Sequence, residues 1–177
     1  HFYWQLFTYM FLHGGWLHLF FNMFALWMFG SEIERHYGSR FFMLYYLLSG
    51  IGAGVCIAVM NWILASGNPV SALYPTLGAS GAIYALLLAD GMPWPSRAVY
   101  LYFLFPVKMK YLLIGYGLIE FFGTHNTLGG RGGNISNDGH LGGLLTGLLL
   151  FARGFGRKGS GDVITKRSMS SPSVALL

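Results

Sequence analysis

Ionised side chains are scarce in this chain. Asp, Glu, Lys and Arg make up 10% of its 177 residues, against about a quarter in soluble globular proteins. A water-soluble fold of this size could not cover its surface with so few charges, and hydrophobic residues reach 54%. Cysteine is nearly missing: Cys56 stands alone, which excludes an internal disulfide framework and any site built from several thiolates. There are six histidines but no His-Glu-x-x-His, and neither Glu120 nor Asp138 has a histidine at that helical spacing, so no metal and no cofactor are expected. The net charge of +5 is not gathered into one patch, so nucleic acid is not an expected partner. The chain opens at His1 on aromatic, apolar sequence, without the basic region and cleavage site of a signal peptide. A piece or processed chain, with an upstream segment missing, is expected.

What is present is a series of apolar stretches bounded by polar clusters, five in all, which predicts an all-α, polytopic membrane bundle. The first runs from about Trp16 to Gly30 and ends at Ser31-Glu32-Ile33-Glu34-Arg35. The second, about Phe41 to Ala65, is uncharged. The third starts near Leu77 and stops at Asp90-Gly91-Met92-Pro93. The fourth lies at about Tyr111 to Phe122, after Pro106, Lys108 and Lys110, and the fifth runs from His140 to Ala152. A helix as short as the third, about thirteen residues, rises only ~20 Å. It survives in a membrane only when other helices or a water-filled cavity surround it, which puts it at the centre of the bundle. Residues 1–155 form the expected transmembrane core, and 156–177, rich in Gly, Ser and basic side chains, a disordered tail.

Basic residues concentrate on the cytoplasmic side of membrane proteins. If the first span runs inward, that side receives Arg35, Arg40, Arg97, Lys108, Lys110, Arg153, Arg157, Lys158, Lys166 and Arg167, leaving only Arg131 outside. The expectation is a multi-pass protein of the plasma (inner) membrane with a cytoplasmic C-terminal tail.

This orientation brings four polar residues to the outer leaflet: His18 and Asn22 on the first span, Ser80 at the start of the third and His140 at the start of the fifth. Polar groups at membrane depth are expensive and commonly mark function. Ser80, in Gly78-Ala79-Ser80-Gly81, has small neighbours that leave its hydroxyl unshielded, and a helix start supplies backbone N–H groups able to stabilise an oxyanion. The same pattern also suits a serine that merely begins a tightly packed helix. A serine needs a base to become a nucleophile, and His140 is the candidate. It shares a helix face with Gly143 and Gly147, whose small size lets that face approach a neighbouring backbone; a solvated histidine at a helix end is the alternative. Tyr84, one turn after Ser80, is placed to stack on the imidazole and orient it in place of a carboxylate. Asp138 suits an N-cap or helix-dipole role better than a catalytic one. His18 and Asn22, four apart, either donate to an oxyanion or bond between helices. His13 ties the incoming loop to the first span, while His1, His36 and His125 fall at the chain start or in loops and carry no expected chemistry.

Three segments together resemble the rhomboid family of intramembrane serine proteases: His13-Gly14-Gly15-Trp16-Leu17-His18-Leu19-Phe20-Phe21-Asn22, Gly78-Ala79-Ser80-Gly81 with Tyr84, and Gly139-His140-Leu141-Gly142-Gly143 with Gly147. The resemblance covers the chain up to Phe155. It implies a six-helix core, of which five helices are present and the first would precede His1. It also implies a Ser80–His140 dyad, an oxyanion hole that includes His18 and Asn22, and support from Gly78 and Tyr84. The implied substrates are single-span membrane proteins, cut near the extracytoplasmic end of the transmembrane helix. The competing expectation is a non-catalytic rhomboid-like protein that binds or escorts transmembrane helices. A transporter is disfavoured because the spans show no repeat halves and no midplane ionisable pathway.

Overall fold

The computed structural model describes residues 3–65, 76–101, 105–128 and 137–153. Its elements run α1 (Gln5–Thr8), a 3-10 turn (Tyr9–Phe11), α2 (Trp16–Ala25), a π-helical turn (Leu26–Gly30), α3 (Ser31–Tyr37), α4 (Ser39–Ala65), α5 (Ser80–Gly91), β1 (Ala98–Leu101), β2 (Phe105–Lys108), α6 (Met109–Leu128) and α7 (Asn137–Ala152). Helices corresponding to all five apolar stretches are present.

Helix α5 is the axis of the arrangement. Twelve residues rise about 18 Å, too little to cross a hydrocarbon core. Gly81, Ala82, Ile83, Ala85, Leu86, Leu87, Ala89 and Asp90 along it are all buried. Helices α4 and α7 pack on it and on each other, and α6 flanks α7. Lipid is as apolar as leucine, so membrane helices associate by close packing rather than by hydrophobic exclusion. Small residues make that packing possible here: Gly143 faces the backbone of Gly81, Gly147 faces Ala85 and the Tyr45 hydroxyl, and Gly142 faces Ala53 and Cys56. The fully buried Tyr45 on α4 donates its hydroxyl to the Ala85 carbonyl at 3.1 Å.

Helix α4, from Ser39 to Ile63, is long and apolar enough to cross a membrane by length and composition, the one such helix among the described residues. The outside of the bundle is apolar: Trp27 is 68% and Trp62 77% exposed, and Ile114, Ile119, Phe121 and Phe122 on α6 point outward. So large an uncovered apolar surface fits acyl chains rather than water.

Several boundaries differ from the sequence reading. The first span does not stop at Ser31. A π-helical turn carries it into α3, where Glu32 and Glu34 occupy the first turn and Arg35 and His36 the last, the order the helix dipole favours. Two of the charges that read as a break pair with each other, and Glu32 reaches a third: Arg35 donates to Glu32 at 2.7 Å, and Arg97 donates to Glu32 at 3.2 Å and to the buried Asp90. His36 therefore lies in a helix, its ring 4.3 Å from that of Trp94, and His125 lies in the last turn of α6. Helix α7 begins at Asn137, so Asp138 sits inside its first turn rather than before it. Pro106 and Lys108 belong to a two-stranded antiparallel hairpin, pairing Ala98 with Lys108 and Leu101 with Phe105, which the reading did not anticipate. Arg131 and the tail at 156–177 lie outside the described residues.

Candidate active site

Ser80 begins α5, and the Asp90–Arg97–Glu32 ion network closes its other end. Among the described residues, no side chain caps the α5 start. Its first backbone bond runs from the Ile83 N–H to the Ala79 carbonyl at 3.1 Å, so the N–H groups of Ser80, Gly81 and Ala82 have no carbonyl partner in the preceding turn. Before the helix, Gly78 has φ of 121°, a backbone region that side chains rarely adopt. Its N–H donates to the Tyr9 carbonyl at 3.0 Å, and the Tyr9 hydroxyl donates to the Gly50 carbonyl of α4 at 2.8 Å. The segment before α2 thereby fixes the turn that presents Ser80.

His140 lies one turn before Gly143 on α7, and its Nε2 is 2.7 Å from the Ser80 hydroxyl oxygen. The Tyr84 ring stacks on the imidazole, with centroids 4.5 Å apart and planes 13° from parallel. The chain thus brings Ser80 and Tyr84 to His140, which lies 60 residues after Ser80 in sequence, because glycines let α7 lie against α5.

His18 and Asn22 approach from α2. The Gly14 N–H donates to His18 Nδ1 over a long 3.4 Å. A neutral imidazole that accepts at Nδ1 carries its proton on Nε2, and that nitrogen faces Gly78: a Cβ built there would lie 2.8 Å from His18 Nε2 and 3.9 Å from the Ser80 hydroxyl oxygen. The glycine leaves open a small volume bounded by a donor and the hydroxyl. Asn22 is buried, and its Nδ2 donates to the His18 carbonyl at 2.8 Å while Oδ1 has no partner among the described residues. One N–H of that amide remains available. The His13 ring lies 5.2 Å from that of His18. Burial, and then the neighbouring His18 imidazole, hold His13 below the ordinary histidine range, which disfavours a cation beside His18.

The sequence reading missed Glu120. Its side chain, on α6, is 3% exposed. It accepts the Tyr84 hydroxyl at 2.6 Å and the Asn137 amide at 2.8 Å. His140 Nδ1 lies 3.1 Å from Oε2, close but off the line of an ideal ring N–H bond. Tyr84 therefore does not replace a carboxylate beside His140; it accompanies one. The available signal was a lone acid in the apolar run Gly117-Leu118-Ile119-Glu120-Phe121-Phe122, since an intramembrane carboxylate faces a partner or a cavity. Among the described residues no cluster of three or more His, Cys, Asp or Glu side chains is arranged to hold a metal ion.

A serine–histidine pair set within a membrane helical bundle is thus the class of arrangement the geometry defines. The chain matches the Rhomboid domain family over residues 1–157, and it belongs to the rhomboid family of integral membrane proteins. It is 36% identical over 149 residues to "Rhomboid protease GluP" of Bacillus subtilis (strain 168), covering 84% of this chain and 25% of that protein. It is 31% identical over 155 residues to "Rhomboid protease AarA" of Providencia stuartii, covering 80% and 52%. It is also 33% identical over 144 residues to "RHOMBOID-like protein 12, mitochondrial" of Arabidopsis thaliana, covering 77% and 42%. The chain spans from a quarter to about half the length of these relatives. No solved structure matches it significantly.

Proposed function

We propose that this chain is the catalytic part of an intramembrane serine endopeptidase that cleaves single-span membrane proteins near the extracytoplasmic end of the transmembrane helix. The observation that carries the reading is the 2.7 Å approach of His140 Nε2 to the Ser80 hydroxyl, beside an uncapped helix start. The relatives named as rhomboid proteases support it.

In the mechanism, neutral His140 accepts the Ser80 proton at Nε2 while the serine oxygen attacks the scissile carbonyl carbon. The negative charge that develops on the carbonyl oxygen is met by the Ser80 N–H, the His18 Nε2–H and the free N–H of Asn22. Collapse of the tetrahedral intermediate breaks the C–N bond, and the imidazolium gives its proton to the leaving amine. Water, deprotonated by His140, then hydrolyses the acyl-enzyme and restores Ser80. A substrate helix has its backbone groups paired, so it unwinds locally before attack, which favours substrates with Gly or other helix-weakening residues. The distribution of basic residues supports a plasma (inner) membrane protein with a cytoplasmic C-terminus, which protease protection of a C-terminal tag tests.

The decisive experiment is cleavage of a panel of tagged single-span substrates, with fluorophosphonate labelling in parallel. Ser80→Ala and His140→Ala are expected to abolish both. Cleavage retained by Ser80→Ala refutes the nucleophile. Wild-type protein that neither cleaves nor labels supports instead a helix-binding, non-catalytic role.

A further inference from the structure

We propose that Glu120 is a positioning residue for His140: its carboxylate holds the Nδ1–H of the imidazole and so keeps Nε2 free to take the Ser80 proton. This rests on the Ser80–His140 reading and extends the pair to a third side chain on a third helix.

The Glu120 carboxylate accepts from two donors, and both belong to the immediate frame of the imidazole, whose Nδ1 lies beside it. Tyr84 donates its hydroxyl to Oε1 at 2.6 Å while its ring stacks on His140. One side chain therefore fixes both the plane of the imidazole and the position of the carboxylate. Asn137 precedes His140 by three residues on the same face of α7 and donates to Oε2 at 2.8 Å. His140 Nδ1 is 3.1 Å from that same oxygen. The imidazole thus lies between the Ser80 oxygen on Nε2 and the Glu120 oxygen beside Nδ1.

A neutral imidazole has one ring proton, and an ionised carboxylate only accepts. Facing Nδ1 with the carboxylate selects the tautomer that carries its proton there, which leaves the Nε2 lone pair directed at Ser80. During attack the Ser80 proton passes to Nε2 and the Nδ1 proton stays on the ring. Glu120 remains ionised throughout, stabilising the imidazolium without taking a proton. Apolar contacts would hold α5, α6 and α7 together at lower desolvation cost than a buried carboxylate. Its place beside Nδ1 is what an orienting role requires.

The test uses the protein in lipid nanodiscs with a tagged single-span substrate, measuring kcat, KM, the rate of fluorophosphonate labelling and thermal stability. Glu120→Gln keeps the shape but presents no charge and has one acceptor oxygen where the carboxylate has two, so it accepts from Tyr84 or from Asn137 and not from both. With that oxygen on Tyr84, its amide N–H faces His140 Nδ1 and favours the wrong tautomer. Its kcat and labelling rate are expected to fall together by about 10²-fold, with KM unchanged, and Glu120→Asp is expected to recover at least a tenth of wild-type kcat. Tyr84→Phe, which keeps the stack and frees one carboxylate oxygen, is expected to lose less than Glu120→Gln. Wild-type kcat in Glu120→Gln, or a loss that Glu120→Asp shares in full, overturns the proposal while leaving the Ser80–His140 pair standing. Cleavage by Ser80→Ala instead overturns the pair itself. A measurement on the unmutated site guards against a Glu120→Gln protein that does not fold: in selectively labelled wild-type protein the neutral His140 ring is expected to show a protonated Nδ1 by 15N NMR. A proton on Nε2 refutes the role assigned to Glu120.

Discussion

Replacing Gly143 by alanine adds one methyl group where α7 lies against the backbone of α5. The new Cβ would run into the carbonyl oxygen of Gly81 and sit 2.6 Å from its carbonyl carbon, whereas ordinary contact begins at 3.4 Å. A backbone carbonyl cannot rotate aside as a side chain can, so α7 must retreat by at least the 0.8 Å between those two distances. Gly143 is one turn from His140, and the retreat carries the imidazole with it. Added along the Ser80–His140 line, it stretches 2.7 Å to about 3.5 Å, where a hydrogen bond is essentially lost.

Two effects compete in sign. Gly to Ala inside a helix stabilises by about 0.5–1 kcal/mol when the methyl group has room, whereas overpacking costs about 1–3 kcal/mol. The backbone clash makes the second prevail. Gly143→Ala is expected to lower thermal stability in detergent and, because a misplacement of about 1 Å can cost ~10² in rate, to cut turnover of a single-span substrate by that order. Gly115→Ala on α6 is the control, since a Cβ there meets nothing within 4 Å; it is expected to leave cleavage unchanged and stability equal or slightly raised. If Gly143→Ala cleaves and melts like wild type, the close α5–α7 approach does not set the site geometry, and the reasoning fails.

Two further substitutions probe the ends of α5. Arg97→Leu strips the counter-charge from Asp90, whose side chain is 0% exposed. An uncompensated buried charge costs about 3–5 kcal/mol, so Tm is expected to fall by roughly 6 °C or more and to recover partly when Asp90→Asn is added; an unchanged Tm shows that the pair is not needed for stability. Gly78→Ala forces a side chain into φ of 121° and against His18 Nε2. Turnover is expected to drop by about 10²–10³, the size of one lost oxyanion donor, and wild-type turnover removes His18 from the oxyanion hole.

The five spans were legible because lipid-facing and buried helix faces are both apolar, so runs such as Phe41 to Ala65 stand out by composition alone. What composition hid was the pairing of charges across elements. Glu32, Glu34 and Arg35 read as a boundary because Glu32's distant partner Arg97 lies 65 residues away in sequence, whereas in the structure the helix continues through Tyr37. The hairpin around Pro106 carries no such signal. Its strands are four residues each, too short for alternation to register against an apolar background.

The site divides in the same way. Ser80, Tyr84 and His140 were accessible because glycine spacing along α7 reports close approach to another helix, and that approach brings the imidazole to the start of α5. Glu120 sits among Phe121, Phe122 and Ile119, the outward-facing residues of α6. The small residues on its own face, Gly123 and Thr124 three and four positions on, were a signal left unread, since a Cβ at Gly123 would run into the Asn137 side chain. The partners of Glu120 come from two other helices, Tyr84 on α5 and Asn137 and His140 on α7. In an apolar helix, a single acid whose neighbours in sequence cannot neutralise it must be satisfied across the bundle. For Glu120, the polar groups that do so among the described residues are the ones gathered around the His140 ring.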